Sequence, residues 1–90
     1  MEVKIAFTTQ LKAAIGKNEQ WLSLSDDASV RDAIEMVAKL HPVEFAQLVL
    51  DNSQELLPSI LLCVNDQQVE GGETLSNGDT VTLLSAISGG

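Results

Sequence analysis

Apolar and polar residues alternate along several stretches of the chain, a pattern that predicts β-strands. Residues 2–8 place Val3, Ile5 and Phe7 on one side and polar residues on the other. Residues 20–25 alternate in the same way. The polar turn between the two stretches exceeds two residues, which favours a hairpin with a long connection. Each strand has one apolar face, so we expect a sheet with one buried face.

One helix is predicted with well-marked ends. Ser29 is a favourable N-cap, and together with Asp32 it resembles a capping box. Apolar side chains then recur at helical spacing until Pro42, where a helix does not continue comfortably. The apolar positions are Val30, Ala33, Ile34, Val37 and Leu40. Within residues 43–50, the apolar spacing predicts one or two further helical turns.

The second half of the chain contains two further predicted strands. Residues 59–64 alternate, with Leu61 and Cys63 directed away from the helix. Residues 67–70 are expected to form a short edge segment. Residues 80–84 are expected to form a last strand, because they alternate and are rich in β-branched side chains.

The order strand, strand, helix, strand, short segment, strand favours an α+β fold with a mixed sheet and one main helix packed across a single face. We expect the first and last strands to lie side by side and parallel in the centre. Ninety residues suffice for a single core. The sequence therefore predicts one domain over residues 1–84 and a flexible tail over residues 85–90.

The sheet face that the helix leaves open is expected to carry three apolar side chains, Leu61, Cys63 and Leu84. Apolar residues gathered on an open face can form a docking patch for another protein. Single apolar residues are also common on protein surfaces without any function. Both interpretations remain open at the level of the sequence.

The tail has the form of an arm that an enzyme's active site can hold. Six residues, 85–90, span roughly 20 Å when extended. Gly89 and Gly90 have no Cβ, so another protein's backbone can close around them. Glycine-rich termini also occur without a function. The functional interpretation predicts that the Gly90 carboxylate is presented to a partner enzyme.

Charge and composition narrow the classes of partner. The net charge is −8, and residues 40–90 contain seven acids and no lysine or arginine. Such a half repels phosphate backbones, so we expect no nucleic-acid partner. It speeds encounter with a basic protein surface, or it serves only solubility. No stretch resembles a membrane span or a signal peptide, and Cys63 is the only cysteine, so we expect a cytoplasmic protein without a disulfide.

The chain offers little chemistry of its own. His41 is the only histidine and sits before a proline, which favours a structural role because catalytic histidines need placed partners. Cys63 lies in the middle of a strand with no basic neighbour in sequence to activate it. We therefore expect no catalytic residue, no metal site and no stably bound cofactor. A carrier or substrate protein is predicted, not an enzyme.

Four motifs in order give the chain a recognisable pattern. The first is the strand from Val3, followed by a loop to Gly16. The second is the block at residues 50–57 and the strand after it, which ends in a Val-Asn turn. The third is Leu-Ser-Asn-Gly-Asp-Thr-Val at residues 75–81, and the last is the terminal Gly-Gly. With these motifs the chain resembles the MoaD/ThiS sulfur carriers, and its length resembles MoaD. Family tails often carry a proline where this chain has Ser85.

The resemblance implies a ubiquitin-like β-grasp fold and a defined reaction. A ubiquitin-activating-type adenylyltransferase uses ATP to adenylate the Gly90 carboxylate. A cysteine desulfurase or a rhodanese-like protein then supplies sulfur, leaving a thiocarboxylate. The acceptor is a synthase such as the large subunit of molybdopterin synthase, in molybdenum cofactor biosynthesis. The residues expected to contact partners are Leu61, Cys63, Leu84, Ile87, Ser88 and Gly89.

Three alternatives are compatible with the same residues. The sulfur can serve cysteine or thiamin synthesis instead. The activated Gly90 carbonyl can be captured by a lysine amine, which makes the chain a ubiquitin-like protein modifier. Or the domain is an adaptor that only binds, with an idle tail.

Overall fold

A computed structural model describes residues 1–85 of the chain and gives eight elements. In chain order they are β1 (Glu2–Phe7), α1 (Thr9–Ile15), β2 (Glu19–Ser23), α2 (Val30–Leu40), α3 (Pro42–Leu48), β3 (Ile60–Val64), β4 (Gln67–Val69) and β5 (Thr80–Ser85). The strands form one mixed sheet in the order β2-β1-β5-β3-β4. β1 and β5 are parallel neighbours in the centre, and the other pairs are antiparallel. The predicted mixed α+β sheet is confirmed.

The two predicted helical segments form as α2 and α3. The Ser29 hydroxyl accepts a hydrogen bond from the Asp32 N–H at 3.2 Å, and the Asp32 carboxylate accepts one from the Ser29 N–H at 2.9 Å. This is the predicted capping box. Pro42 ends α2 and also lies in the first turn of α3, where its missing N–H costs nothing.

The sequence pattern assigned no element to α1. This helix has seven residues and only one buried side chain, Leu11, so the apolar repeat is too short to register as helical. Gly16 caps its end with φ +86, a left-handed conformation that glycine adopts without strain, and its N–H donates to the Lys12 carbonyl at 2.9 Å.

One core lies between α2, α3 and the inner sheet face. The central strands contribute fully buried side chains, among them Ile5 and Val81. The four buried residues of α2 are Val30, Ala33, Ile34 and Val37. α2 covers only one face of the sheet, and no helix within residues 1–85 covers the opposite face, which is called the open face below. This asymmetry positions the site described next.

Candidate functional site

β5 is paired on both sides as far as Leu83, and β3 alone pairs with it to the last described residue, Ser85. Leu83 lies opposite Phe7 of β1, and Ser85 lies opposite Ile60 of β3. The Thr8 hydroxyl donates to the Leu83 carbonyl at 2.6 Å. The backbone is therefore held in a fixed register to the point where the predicted tail begins. Four predicted site residues lie outside the described residues, namely Ile87, Ser88, Gly89 and Gly90.

The turn before β5 sets this register through Asp79. One carboxylate oxygen accepts from the Asn65 side-chain amide at 2.8 Å, and the other accepts from the Ser76 N–H at 2.8 Å. The Asn65 side-chain oxygen in turn accepts from the Thr80 N–H at 3.0 Å. Gly78 lies at φ +87, which explains the glycine in the motif at residues 75–81.

The same turn is fixed to β1. The Gly78 N–H donates to the Glu2 carbonyl at 2.7 Å, and the Glu2 N–H donates to the Asn77 side-chain oxygen at 2.8 Å. Leu75 and Val81, at the two ends of the motif, are both buried in the core. The motif therefore joins the turn to the core and determines where the C-terminal strand leaves the fold.

The structure brings together three of the predicted site residues on the open sheet face. Leu61 pairs with Leu84, and Cys63 lies opposite Thr82 on the same strands. All three predicted residues are half-buried, whereas Leu83, which points to the helix side, is buried. An apolar surface therefore lies beside the end of β5. Its contact with a partner stays a prediction.

Two concave features of residues 1–85 lie near these elements. A notch of about 20 Å³ next to the end of β5, lined by residues that include Leu84, is too small for a ligand larger than water. A cleft of about 720 Å³ lies between α2 and the segment around Leu56, on the helix side of the sheet. The larger cleft is therefore not on the open face that carries the predicted docking patch.

His41 links α2 to β2. Its Nε2 lies 2.7 Å from the Gln20 side-chain oxygen, and its ring meets the Phe7 ring edge-on with 6.0 Å between centroids. An amide neither gives nor takes a proton readily, so Gln20 is not a suitable partner for acid–base catalysis by His41. The two contacts instead hold the end of α2 against β2. Within residues 1–85, no group of three or more His, Cys, Asp and Glu side chains is placed to hold a metal ion. None of the described helices has the length and apolar character to cross a membrane.

The Glu73 carboxylate organises the loop at the start of α2. It accepts hydrogen bonds from the Gly71 N–H at 2.8 Å and the Glu70 N–H at 3.2 Å. These bonds, that from Gly71 first, hold the pKa of the Glu73 carboxyl below its ordinary value of 4.5. The carbonyls of Glu73 and Gly71 accept from the first N–H groups of α2, those of Val30 and Arg31, at 2.9 and 3.0 Å.

Sequence reasoning gave no role to Trp21, although its place in β2 was predicted. The indole is 54% exposed on the open face, and the Lys4 ammonium lies 5.7 Å from the ring centroid. Lys4 also pairs with Glu19 at 3.4 Å. Trp21 alternates with Leu22, so the sequence indicates that the indole lies on the face opposite the core. Sequence spacing does not reveal how much of the indole the rest of residues 1–85 leaves exposed.

Comparison with known proteins gives one family match. The model of the ThiS family matches residues 5–90. A comparison with curated proteins finds no sequence that matches the chain.

Solved structures share the fold over almost the whole chain. SAMP1 from Haloferax volcanii superposes with a TM-score of 0.91 at 24% identity, covering 100% of both chains. The small archaeal modifier protein 1 from Methanosarcina acetivorans has a TM-score of 0.81 at 26% identity, covering 99% of this chain and 96% of its own. A Pyrococcus furiosus protein assigned as molybdopterin converting factor, subunit 1, has a TM-score of 0.78 at 26% identity, covering 97% and 99%. The β-grasp fold is thus confirmed.

Proposed function

Because the chain belongs to the ThiS family, we propose that it is a sulfur carrier that works through the carboxylate of Gly90. The observation that carries this proposal is the joint placement of β5 and the open face. β5 is paired with β1 as far as Leu83 and with β3 as far as Ser85, and the apolar pair Leu61 and Leu84 lies beside its end. A partner that docks on this pair therefore lies next to Ser85, the point from which the chain continues to Gly90.

The proposed chemistry begins with activation. A carboxylate resists nucleophiles because its negative charge is delocalised. An adenylyltransferase partner joins the Gly90 carboxylate to AMP, releasing pyrophosphate from ATP. The terminal sulfur of a persulfide, supplied by a cysteine desulfurase or a rhodanese-like protein, attacks the acyl carbon and AMP leaves. A thiol then reduces the acyl disulfide and leaves a thiocarboxylate on Gly90. ATP drives the first step, so we place the reaction in the cytoplasm.

In this proposal the chain is substrate and carrier, and its partners are the catalysts. Its own residues contribute β5, which leads to the tail, and the apolar docking surface of Leu61 and Leu84. They also contribute Gly89 and Gly90, which have no side chains and therefore fit a narrow channel. Molybdopterin synthase is the acceptor we favour. The likeness to the Pyrococcus furiosus protein assigned as molybdopterin converting factor, subunit 1, supports this choice.

A second function uses the same activated carbonyl. If a lysine amine attacks it instead of sulfur, AMP leaves and an isopeptide forms, so that the chain becomes a protein modifier. The likeness to the Methanosarcina acetivorans modifier protein favours this alternative. Sulfur carriage for cysteine or thiamin synthesis is a third outcome of the same activation.

Intact-mass spectrometry tests the proposal. The protein is incubated with ATP, its activating enzyme, a cysteine desulfurase and cysteine. We expect a gain equal to the replacement of one oxygen by sulfur, and this gain disappears when Gly90 is deleted. Gly89→Val is expected to block activation. Gly72→Val is the matched control, because Gly72 has no positive φ and a Cβ there meets nothing within 4 Å. Unchanged mass with an active partner set would overturn the proposal.

Protein conjugation has a distinct readout. A modifier gives a ladder on a denaturing gel that disappears when Gly90 is deleted. The chain contains no lysine or arginine after Lys39. Trypsin therefore leaves residues 40–90 on the acceptor lysine, and this large fragment identifies the adduct by mass. A ladder without any thiocarboxylate favours the modifier function over the sulfur carrier.

A further inference from the structure

β2 has a free edge. It lies at one end of the sheet order, and β1 is its only strand neighbour within residues 1–85. The Phe7 N–H donates to the Asn18 carbonyl, and the Leu24 N–H donates to the Met1 carbonyl. These two bonds show which residues of β2 direct their backbone groups toward β1 and which direct them away from it. In an antiparallel pair, residues between such bonded positions point their backbone groups outward. Among residues 1–85, no hydrogen bond satisfies the outward backbone groups of three residues, Glu19, Trp21 and Ser23.

Large apolar side chains flank this edge on both sides. On the open face stands Trp21, 54% exposed. On the helix side stand Met36 and Leu40 of α2, 39% and 52% exposed. Of the described large apolar side chains that are exposed, only Val43 lies outside this set. An edge of unpaired backbone between apolar walls is the arrangement that binds an added strand.

The helix geometry places Met36 and Leu40 on the β2 side. The opposite flank of α2, which includes Arg31 and Lys39, lines the cleft shared with Leu56 and β3. The bond between His41 and Gln20 holds the end of α2 beside the start of β2. α2 therefore runs back along β2, and its two exposed apolar side chains border the same sheet edge as Trp21.

The other edge of the sheet lacks these features. β4 has only three residues, Gln67–Val69, and its first two side chains are polar amides. Val69 is half-buried against the core and is not an exposed anchor. Short polar edges resist strand addition. The two edges thus differ, and only β2 combines an open ladder with exposed apolar neighbours.

Negative charge is concentrated at one end of the β2 edge. Where β2 ends and α2 begins, three acids are exposed, Asp26, Asp27 and Asp32. The chain between Lys17 and Arg31 contains no basic side chain, and the only ion pair of the three acids within residues 1–85 is that of Asp26 with the N-terminal ammonium at 3.4 Å. An occupant with lysine or arginine at this end is complementary in charge.

We propose that the edge of β2 binds an extended segment of a partner protein as an added antiparallel strand. The segment carries consecutive apolar residues, whose side chains alternate between Trp21 on one face and Met36 and Leu40 on the other. Its N-terminal end carries lysine or arginine, because antiparallel pairing brings that end to Asp26 and Asp27. This surface is separate from the pair Leu61 and Leu84 and serves recognition without use of Gly90.

Backbone NMR with a defined peptide tests the proposal. The probe is Lys-Lys-Thr-Val-Ile-Val-Thr, and the control peptide has proline in place of isoleucine, which cannot complete a ladder. With the probe, we expect amide shifts concentrated at residues 19–23 and near Met36 and Leu40, together with slower hydrogen exchange of the Trp21 N–H. The proline peptide is expected to leave that exchange unchanged. Shifts concentrated at Leu61 and Leu84, or no saturable shift, would overturn the proposal.

Variants with matched changes of charge test whether the peptide binds beside Met36 and Leu40. Met36→Glu and Leu40→Glu change exposed side chains, so they are expected to fold and to weaken peptide binding at least about tenfold, or 1.4 kcal/mol. Arg31→Gln lowers the net charge by the same single unit on the opposite flank of α2 and is the control expected to bind within a few fold of the unchanged protein. Equal weakening by all three variants contradicts the proposal. If sedimentation shows instead that Trp21-dependent dimers form without peptide, a second copy is the occupant and the partner assigned here is wrong.

Discussion

Leu83 and Leu84 are adjacent in β5 but have opposite surroundings. Leu83 is 2% exposed and packs on the helix side, while Leu84 is half-buried on the open face opposite Leu61. The two-residue period of a strand produces this contrast. One leucine therefore serves the core and its neighbour serves the surface. Replacing each by alanine is expected to have different effects on stability and on binding.

Leu83→Ala is expected to lower the free energy of unfolding by about 2–5 kcal/mol, because it removes buried contacts and leaves a cavity. Leu84→Ala is expected to cost less stability and to weaken binding to the activating enzyme. Urea unfolding and a binding assay on both variants measure these effects. Equal losses of stability would contradict the assignment of the two faces.

α2 depends on two kinds of cap. The Ser29 and Asp32 side chains satisfy one another's backbone N–H groups, and the Glu70–Glu73 loop supplies carbonyls to the next N–H groups of the helix. The first cap was visible in the sequence because it is local. The second joins segments about forty residues apart and is visible only in the structure.

Ser29→Ala is expected to lower the free energy of unfolding by about 1 kcal/mol, because an N-cap acceptor is lost. Ser29→Asp keeps an acceptor and is the control expected to retain most of the stability. Thermal unfolding of the three proteins gives the comparison. An alanine variant as stable as the unchanged protein would show that the loop carbonyls alone fix the start of α2.

Glu73→Gln is expected to destabilise the protein in a pH-dependent way. The pKa of Glu73 is lowered in the folded chain, so the charged form favours folding. Its contribution is fully present above the ordinary value of 4.5 and is lost as the pH falls through the lowered pKa. Urea unfolding of both proteins is therefore expected to show a stability difference at pH 7 that shrinks below pH 4.5. A difference that grows in acid contradicts the mechanism.

The strands and α2 followed from local periodicity, because strands and amphipathic helices each impose a repeat. The parallel pairing of β1 with β5 followed from the order of the elements along the chain. α1 did not follow, because one buried leucine gives no repeat. The Leu61 and Leu84 surface was predicted from alternation once α2 was known to cover one face. The binding edge of β2 was not predicted from the sequence. It depends on which strand lies at the end of the sheet and on the position of the α2 side chains Met36 and Leu40 beside that strand.

At the scale of the whole molecule, the uneven charge has a kinetic consequence. Residues 40–90 contain seven acids and no lysine or arginine, and they include β5 and the open-face pair Leu61 and Leu84. We expect association with the activating enzyme to slow as salt rises from low to physiological concentration, because screening shortens the range of the electrostatic attraction that steers the two proteins together. Stopped-flow association rates measure this effect, and rates independent of salt would show that the acidity serves solubility only.

The proposed function depends on a free Gly90 carboxylate at the end of the mature chain. Its most direct test is the intact mass and C-terminal peptide of the protein isolated from its native cells. We predict a chain that ends at Gly90 and occurs partly as the thiocarboxylate. A mature chain that extends beyond Gly90, with no trimmed form present, would contradict the account.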